Sequence, residues 1–96
     1  MSESIEQDCP LCNGNAEYEY RDGNKRKIFY CDKCTRFMVT SIAERRLKKH
    51  PKTCQQFCEL SSSLSEEQIF CIYAGEVGSN EPFRVLVEER ANYNLQ

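Results

Sequence analysis

Four cysteines are the residues of this 96-residue chain whose type and spacing point most directly to chemistry. They form two Cys-x-x-Cys pairs, at residues 9–12 and 31–34, with eighteen residues between the pairs. A two-residue gap lets both thiolates of a pair reach one ion, and the longer gap is sufficient for a β-hairpin that brings the pairs together. The spacing therefore predicts one tetrahedral site for a single structural Zn²⁺. Its ligands would be Cys9, Cys12, Cys31 and Cys34.

Residues 9–40 resemble the zinc-ribbon superfamily of the four-cysteine type, through these cysteines and through Gly14 after the first pair. Zinc knuckles place a glycine near this position because the turn needs a positive φ. The second pair departs from the pattern, since Thr35 and Arg36 follow it, and this difference favours zinc over a rubredoxin-like iron site. Residues 37–44 also resemble the end of ribbons found in small uncharacterised bacterial proteins. The resemblance implies a structural metal and names no activity.

The same cysteines argue against an enzyme. Four thiolates fill a tetrahedral shell, whereas catalytic zinc keeps one position open for water or substrate. A thioredoxin-like redox pair needs a strand before the cysteines and a helix after them, and no strand is expected before residue 9. His50 is the only histidine, which removes most histidine-based mechanisms.

A second group of possible metal ligands lies further along the chain, and comprises His50, Cys54, Cys58 and Cys71. Cys54 and Cys58 are one turn apart on a predicted helix. The competing interpretation is core packing, because free cysteine behaves as a small apolar residue and Phe57 shares the same helix face. The sequence is compatible with both interpretations.

Charge is distributed unevenly along the chain. Residues 21–52 carry a net charge of +8, whereas residues 1–20 and 53–96 each carry −5, for a total of −2. The basic segment 21–52 is explained either by compensation of an anionic metal site or by an anionic partner such as RNA or DNA. For the second explanation, the basic residues of the predicted hairpin tip are Arg21, Lys25, Arg26 and Lys27. A protein partner is equally compatible with the pattern.

Apolar periodicity and turn residues predict the secondary structure. Strands are expected at 16–20, 27–31, 35–40, 69–74 and 83–88, with a hairpin turn at 22–24 and helices at 41–49 and 51–62. For 69–74 a helix is the main alternative, because residues 65–68 resemble another capping box. A capping box, Ser41 with Glu44, should start the first helix. Alternation is expected to place Tyr18, Tyr20, Ile28 and Tyr30 on one inner face of the sheet.

Together these features predict an α+β fold, in which a small zinc-ribbon β-sheet is followed by two short helices and a C-terminal β-hairpin. We expect a disordered N-terminus at 1–8, the ribbon at 9–40, the helices with the hairpin packed on them at 41–89, and a tail at 90–96. The N-terminal residues lack a signal-peptide pattern and no apolar stretch is long enough for a membrane span, so we expect a cytoplasmic protein.

The expected function is that of a non-enzymatic zinc-binding adaptor for protein or nucleic acid. The alternative is an enzyme accessory or a redox-sensing protein whose cysteines respond to oxidation. Sequence does not specify the oligomeric state.

Overall fold

A computed structural model describes residues 5–21, 26–75, 78 and 80–89, with the side chain of Arg21 excepted. Its eight elements follow the order four strands, two helices and two strands. They are β1 (Ile5–Asp8), β2 (Asn15–Arg21), β3 (Arg26–Cys31), β4 (Thr35–Thr40), α1 (Ser41–Leu47), α2 (Pro51–Ser62), β5 (Gln68–Ala74) and β6 (Phe83–Glu89).

The six strands form one mixed sheet whose spatial order is the order of the sequence. Neighbouring strands are antiparallel, except that β4 and β5 are parallel with Phe37 opposite Phe70 and Val39 opposite Ile72. A parallel pair needs a long crossover connection, and α1 with α2 supplies it.

The prediction of a small zinc-ribbon sheet, followed by two short helices and a separate C-terminal β-hairpin, was wrong. β5 joins the sheet at β4, so the C-terminal strands extend the sheet that contains both cysteine pairs. The physical reason is that β4 and β5 each bury consecutive residues, at 37–39 and 69–72. Strands buried on both faces belong in the middle of a sheet.

The two faces of the sheet are covered differently. The helices pack on one face, where Phe29, Phe37 and Phe70 join the buried stripes of α1 and α2 in the larger core cluster. The opposite face carries a smaller buried cluster of Ile28, Met38, Ile69 and Cys71, flanked by Tyr30 and Tyr73. Cys9, Cys31 and Cys34 belong to the larger cluster, on the side that the helices cover.

Three local predictions also need correction. Residues 5–8, expected to be disordered, form β1. Tyr18 lies opposite Phe29 and Tyr20 opposite Lys27, so the two tyrosines do not share a face with Ile28 and Tyr30. The cap of α1 is Thr40 and not Ser41, because the Thr40 hydroxyl accepts from the Ala43 N–H.

The remaining elements agree with the sequence patterns, and α2 begins at Pro51 as expected. The predicted turn at 22–24, the first four residues and the tail at 90–96 lie outside the described residues. In the part of the chain that the structure describes, no helix has the length and apolar character needed to cross a membrane.

Candidate metal centre

Both Cys-x-x-Cys pairs lie at one end of the strands, where the β1–β2 and β3–β4 connections meet. The Sγ atoms of Cys9, Cys12, Cys31 and Cys34 all lie within 4.8 Å of one another. Cys9 and Cys34 are 3.8 Å apart, and Cys12 and Cys31 are 3.5 Å apart. Zinc–sulfur bonds of about 2.3 Å in a tetrahedron place sulfur atoms about 3.8 Å apart. The four cysteines could therefore hold one metal ion when all four are thiolates.

The two turns that carry the cysteines have the same backbone feature. The residue after each second cysteine has a positive φ, which is 61° at Asn13 and 66° at Thr35. Asparagine tolerates this left-handed region, whereas a β-branched residue adopts it at a cost. The two turns are thus alike in conformation although their sequences differ after the second cysteine.

Gly14 has a different role from the one expected. The residue with positive φ in the first turn is Asn13, and a Cβ added at Gly14 would lie 3.3 Å from the Cys12 Sγ. The Gly14 N–H donates to that sulfur at 3.4 Å, and the Gly14 carbonyl accepts from the Cys9 N–H at 2.7 Å. The glycine therefore allows the backbone to approach the sulfur closely.

Ser61 on α2 holds the second turn in place and was not foreseen as a site residue. Its side chain is fully buried, and its hydroxyl lies 2.7 Å from the Cys34 carbonyl and 3.0 Å from the Arg36 carbonyl. The Thr35 hydroxyl in turn donates to the Ser61 carbonyl at 3.3 Å. Among the described residues, Thr35 is the one β-branched residue with a positive φ. These hydrogen bonds connect Thr35 and its neighbours to α2.

Burial and hydrogen bonding shift the pKa values of two of these thiols in opposite directions. Burial raises the pKa of Cys9 to about 12. At Cys31 burial also acts to raise the pKa, but hydrogen bonds from the backbone of Cys34 and Lys33 and contacts with Cys12 and Cys9 bring the pKa below its usual value. A bound cation would compensate the charge of thiolates at such buried positions.

A fifth cysteine lies against this group. The sulfur of Cys58 on α2 is paired with that of Cys34 in a disulfide, with the two Cα atoms 4.8 Å apart. Thiolates and not disulfide sulfurs are the usual ligands of zinc. The disulfide of Cys34 and ligation of a metal ion by its thiolate therefore exclude each other.

The second group of possible ligands is dispersed. Cys54 donates its thiol to the Leu47 carbonyl at 3.2 Å, and burial raises its pKa. Cys71 lies on the opposite face of the sheet, and the ring of His50 packs edge-on against Phe83. Within the described ranges, the one group of three or more possible ligand residues is that of the two Cys-x-x-Cys pairs. Core packing accounts for Cys54 and Cys71.

The predicted basic cluster at the hairpin tip is divided between two faces. Arg26 lies over the Tyr73 ring, 5.5 Å from its centroid, whereas Lys27 is on the other face with its Nζ 3.0 Å from a Glu44 carboxylate oxygen. The remaining members, Lys25 and the side chain of Arg21, lie outside the described residues.

No family model, curated protein or solved structure matches this chain. The interpretation of the site therefore depends on the chemistry and geometry of the chain's own residues.

Proposed function

We propose that this protein is a non-enzymatic zinc-binding protein in which one structural Zn²⁺ rigidifies an adaptor surface. The observation that supports this function most strongly is the convergence of four sulfur atoms, from two turns far apart in sequence, within 4.8 Å. Zinc is proposed because it is the usual ion in structural sites made of four cysteines. Such thiolates persist in a reducing compartment, so the proposal includes a cytoplasmic location, where the Cys34–Cys58 pair would be reduced.

A structural role follows from the number and position of the ligands. Four thiolates complete the tetrahedral shell and leave no coordination position for substrate. The ion would join two turns, the second of which the hydrogen bonds of Ser61 already connect to α2. In a chain of this size, a metal adds stability that a small core alone does not supply.

Exposed basic side chains on α1, in the turn that follows it and at the start of α2 support the adaptor role. The positively charged residues of this surface are Arg45, Lys48, Lys49 and Lys52. Other basic residues of the segment contact the protein itself, since Arg36 donates to the Glu66 carbonyl and Arg46 to the Pro82 carbonyl. An anionic partner, either nucleic acid or an acidic protein surface, would find exposed positive charge on this surface.

Zinc stoichiometry in single cysteine variants tests the metal site. Cys9→Ser, Cys12→Ser, Cys31→Ser and Cys34→Ser should each lose most of the bound zinc, whereas Cys54→Ser and Cys71→Ser should keep one zinc per chain. The two control cysteines are buried, so they match Cys9, Cys31 and Cys34 in burial but not in position. Full zinc content in Cys31→Ser, or none in the unmodified protein, would refute the proposal.

The Cys34–Cys58 pair favours redox sensing as a second candidate function. With a peroxide as oxidant, the Cys34 thiolate and the Cys58 thiol form a disulfide, and the two electrons reduce hydrogen peroxide to water and hydroxide. The reaction removes one of the four thiolates, so zinc affinity falls. Oxidation would thus release the ion and loosen the end of the sheet at which the two cysteine turns meet.

Peroxide-driven zinc release tests this second candidate. A chromophoric chelator should detect rapid release from the unmodified protein and from Cys54→Ser, but slow release from Cys58→Ser. Cys54 lies one turn before Cys58 on the same helix and bonds the Leu47 carbonyl, so it is a matched control. Equal release rates in all three proteins would exclude the redox switch. That result would not contradict the proposal of a structural zinc site.

A further inference from the structure

The outer edge of β6 differs from the opposite edge of the sheet. β1 is a four-residue strand with Glu6 and Asp8 on one face, and short, charged strands protect an edge from unwanted pairing. β6 has seven residues, and its outer side has no strand partner among the residues that the structure describes. Its three central side chains are apolar and exposed, with Val85 at 37%, Leu86 at 43% and Val87 at 49% of full exposure.

The sequence of β6 is complementary to itself in one antiparallel register. With Leu86 opposite Leu86 of a second copy, Arg84 lies opposite Glu88 twice, once on each side of the centre. Val85 then lies opposite Val87, also twice. Opposite charges and apolar pairs across antiparallel strands stabilise the pairing, whereas like charges directly opposite destabilise it.

The faces of the sheet are also compatible with this arrangement. A two-fold axis perpendicular to the sheet keeps the helix layers of both copies on one side. Val85 and Val87 are on the helix-facing side of β6, opposite Ile72 and Phe70 of β5, and both are exposed. Pairing would remove these valines from water and extend the six-stranded sheet to twelve strands.

We propose that the edge of β6 is a self-association surface, at which two copies of this chain pair antiparallel about Leu86. This surface is separate from the cysteine group, since it lies on the last strand of the sheet and contains none of the four cysteines. The proposal therefore does not depend on zinc binding, and the two can fail independently.

Charge exchange across the interface tests both the surface and the register. Light scattering coupled to size exclusion should give about twice the chain mass of 11.2 kDa for the unmodified protein. Arg84→Glu and Glu88→Arg should each be monomeric, because each places like charges opposite one another twice. The double variant Arg84→Glu/Glu88→Arg should again be dimeric, and an equimolar mixture of the two single variants should give a heterodimer.

A matched control and folding checks complete the experiment. Glu59→Arg makes the same charge change as Glu88→Arg at an exposed position of α2 and should remain dimeric. Circular dichroism should show unchanged secondary structure in every variant, since Glu88 also accepts from the Tyr73 hydroxyl at 3.3 Å. A monomeric unmodified protein throughout a concentration series would overturn the proposal. So would a dimer that persists in both single variants, or a double variant and mixture that stay monomeric.

Discussion

The hydroxyl of Ser61 donates to the carbonyl oxygen of Cys34 over 2.7 Å, and this contact joins the last turn of α2 to the second Cys-x-x-Cys turn. Ser61 is the fully buried polar residue in the described part of the chain. Removal of its hydroxyl would leave the Cys34 and Arg36 carbonyls without this buried donor. Groups that hold the backbone around a metal ligand affect both stability and metal affinity.

Ser61→Ala should therefore lower the free energy of unfolding by about 1–3 kcal/mol, the usual cost of an unsatisfied buried polar group. It should also weaken zinc binding by roughly 10-fold, at the low end of the range for residues that support metal ligands. Urea denaturation and competition with a zinc chelator measure the two effects. Ser62→Ala is the control, because the Ser62 hydroxyl is exposed and bonds its own helix at Glu59. Equal effects of both substitutions would contradict the supporting role of Ser61.

The positive φ of Thr35 gives a second prediction. Thr35→Val keeps the branched Cβ at φ 66° but loses the hydrogen bond to the Ser61 carbonyl, so it should destabilise the fold by about 0.5–1.5 kcal/mol. Thr35→Gly loses the same bond but relieves backbone strain of about 1–2 kcal/mol, so its stability should stay close to that of the unmodified protein. Thermal denaturation of the zinc-loaded proteins should give a higher melting temperature for Thr35→Gly than for Thr35→Val. The reverse order would show that the positive φ of Thr35 does not strain the fold.

The ion pair between Lys27 and Glu44 connects β3 to α1, and both side chains are mostly buried, at 14% and 12% of full exposure. Gln7 of β1 donates to the same carboxylate at 2.9 Å, and the Lys27 ammonium lies 4.4 Å from the Tyr18 ring centroid. Glu44→Gln should destabilise the protein by about 1–3 kcal/mol, because it leaves a mostly buried ammonium without its counter-charge.

A double-mutant cycle with Lys27→Met checks this explanation. The combined Lys27→Met/Glu44→Gln variant should lose less stability than the sum of the two single losses, since removal of both partners leaves no unpaired charge. Denaturant unfolding measures all four proteins. Strict additivity would show that the two side chains do not interact in solution.

Burial of Cys54 gives a prediction about thiol reactivity. Burial raises the pKa of this thiol, so less of the reactive thiolate is present at neutral pH and alkylation of the folded protein should be slow. Reaction should accelerate as the pH rises toward that pKa. Mass spectrometry of iodoacetamide-treated protein, with Cys54 quantified by peptide, measures the rate. Fast labelling at neutral pH, equal to that of the denatured chain, would contradict the packing of Cys54 against Leu47.

Local patterns predicted most elements of this fold. The stripe of α2 that contains Cys54, Phe57, Cys58 and Ser61 is buried as helical periodicity requires, and β5 is a buried strand as its apolar run indicated. The parallel pairing of β4 with β5 is a contact between strands separated by two helices, and periodicity within either strand does not specify it. The sequence signal for this pairing was the run of consecutive apolar residues in each strand, because strands buried on both faces lie in the middle of a sheet.

The environment of the cysteines was predictable only in part. Their spacing indicated that the four sulfurs converge, because two short turns on a hairpin have few other arrangements. The conformation of Thr35 was not predictable, since branched residues seldom adopt a positive φ and do so here with Ser61 bonded around them. The approach of Cys58 to Cys34 depends on the crossover that brings α2 over β4, which the expected separate ribbon did not include.

X-ray absorption at the zinc edge of the purified, reduced protein would identify both the ion and its ligand atoms. We predict one zinc per chain, with a first shell of four sulfur atoms at about 2.3 Å and no nitrogen or oxygen ligand. Protein that contains no zinc, or zinc whose first shell includes nitrogen or oxygen, would contradict this prediction.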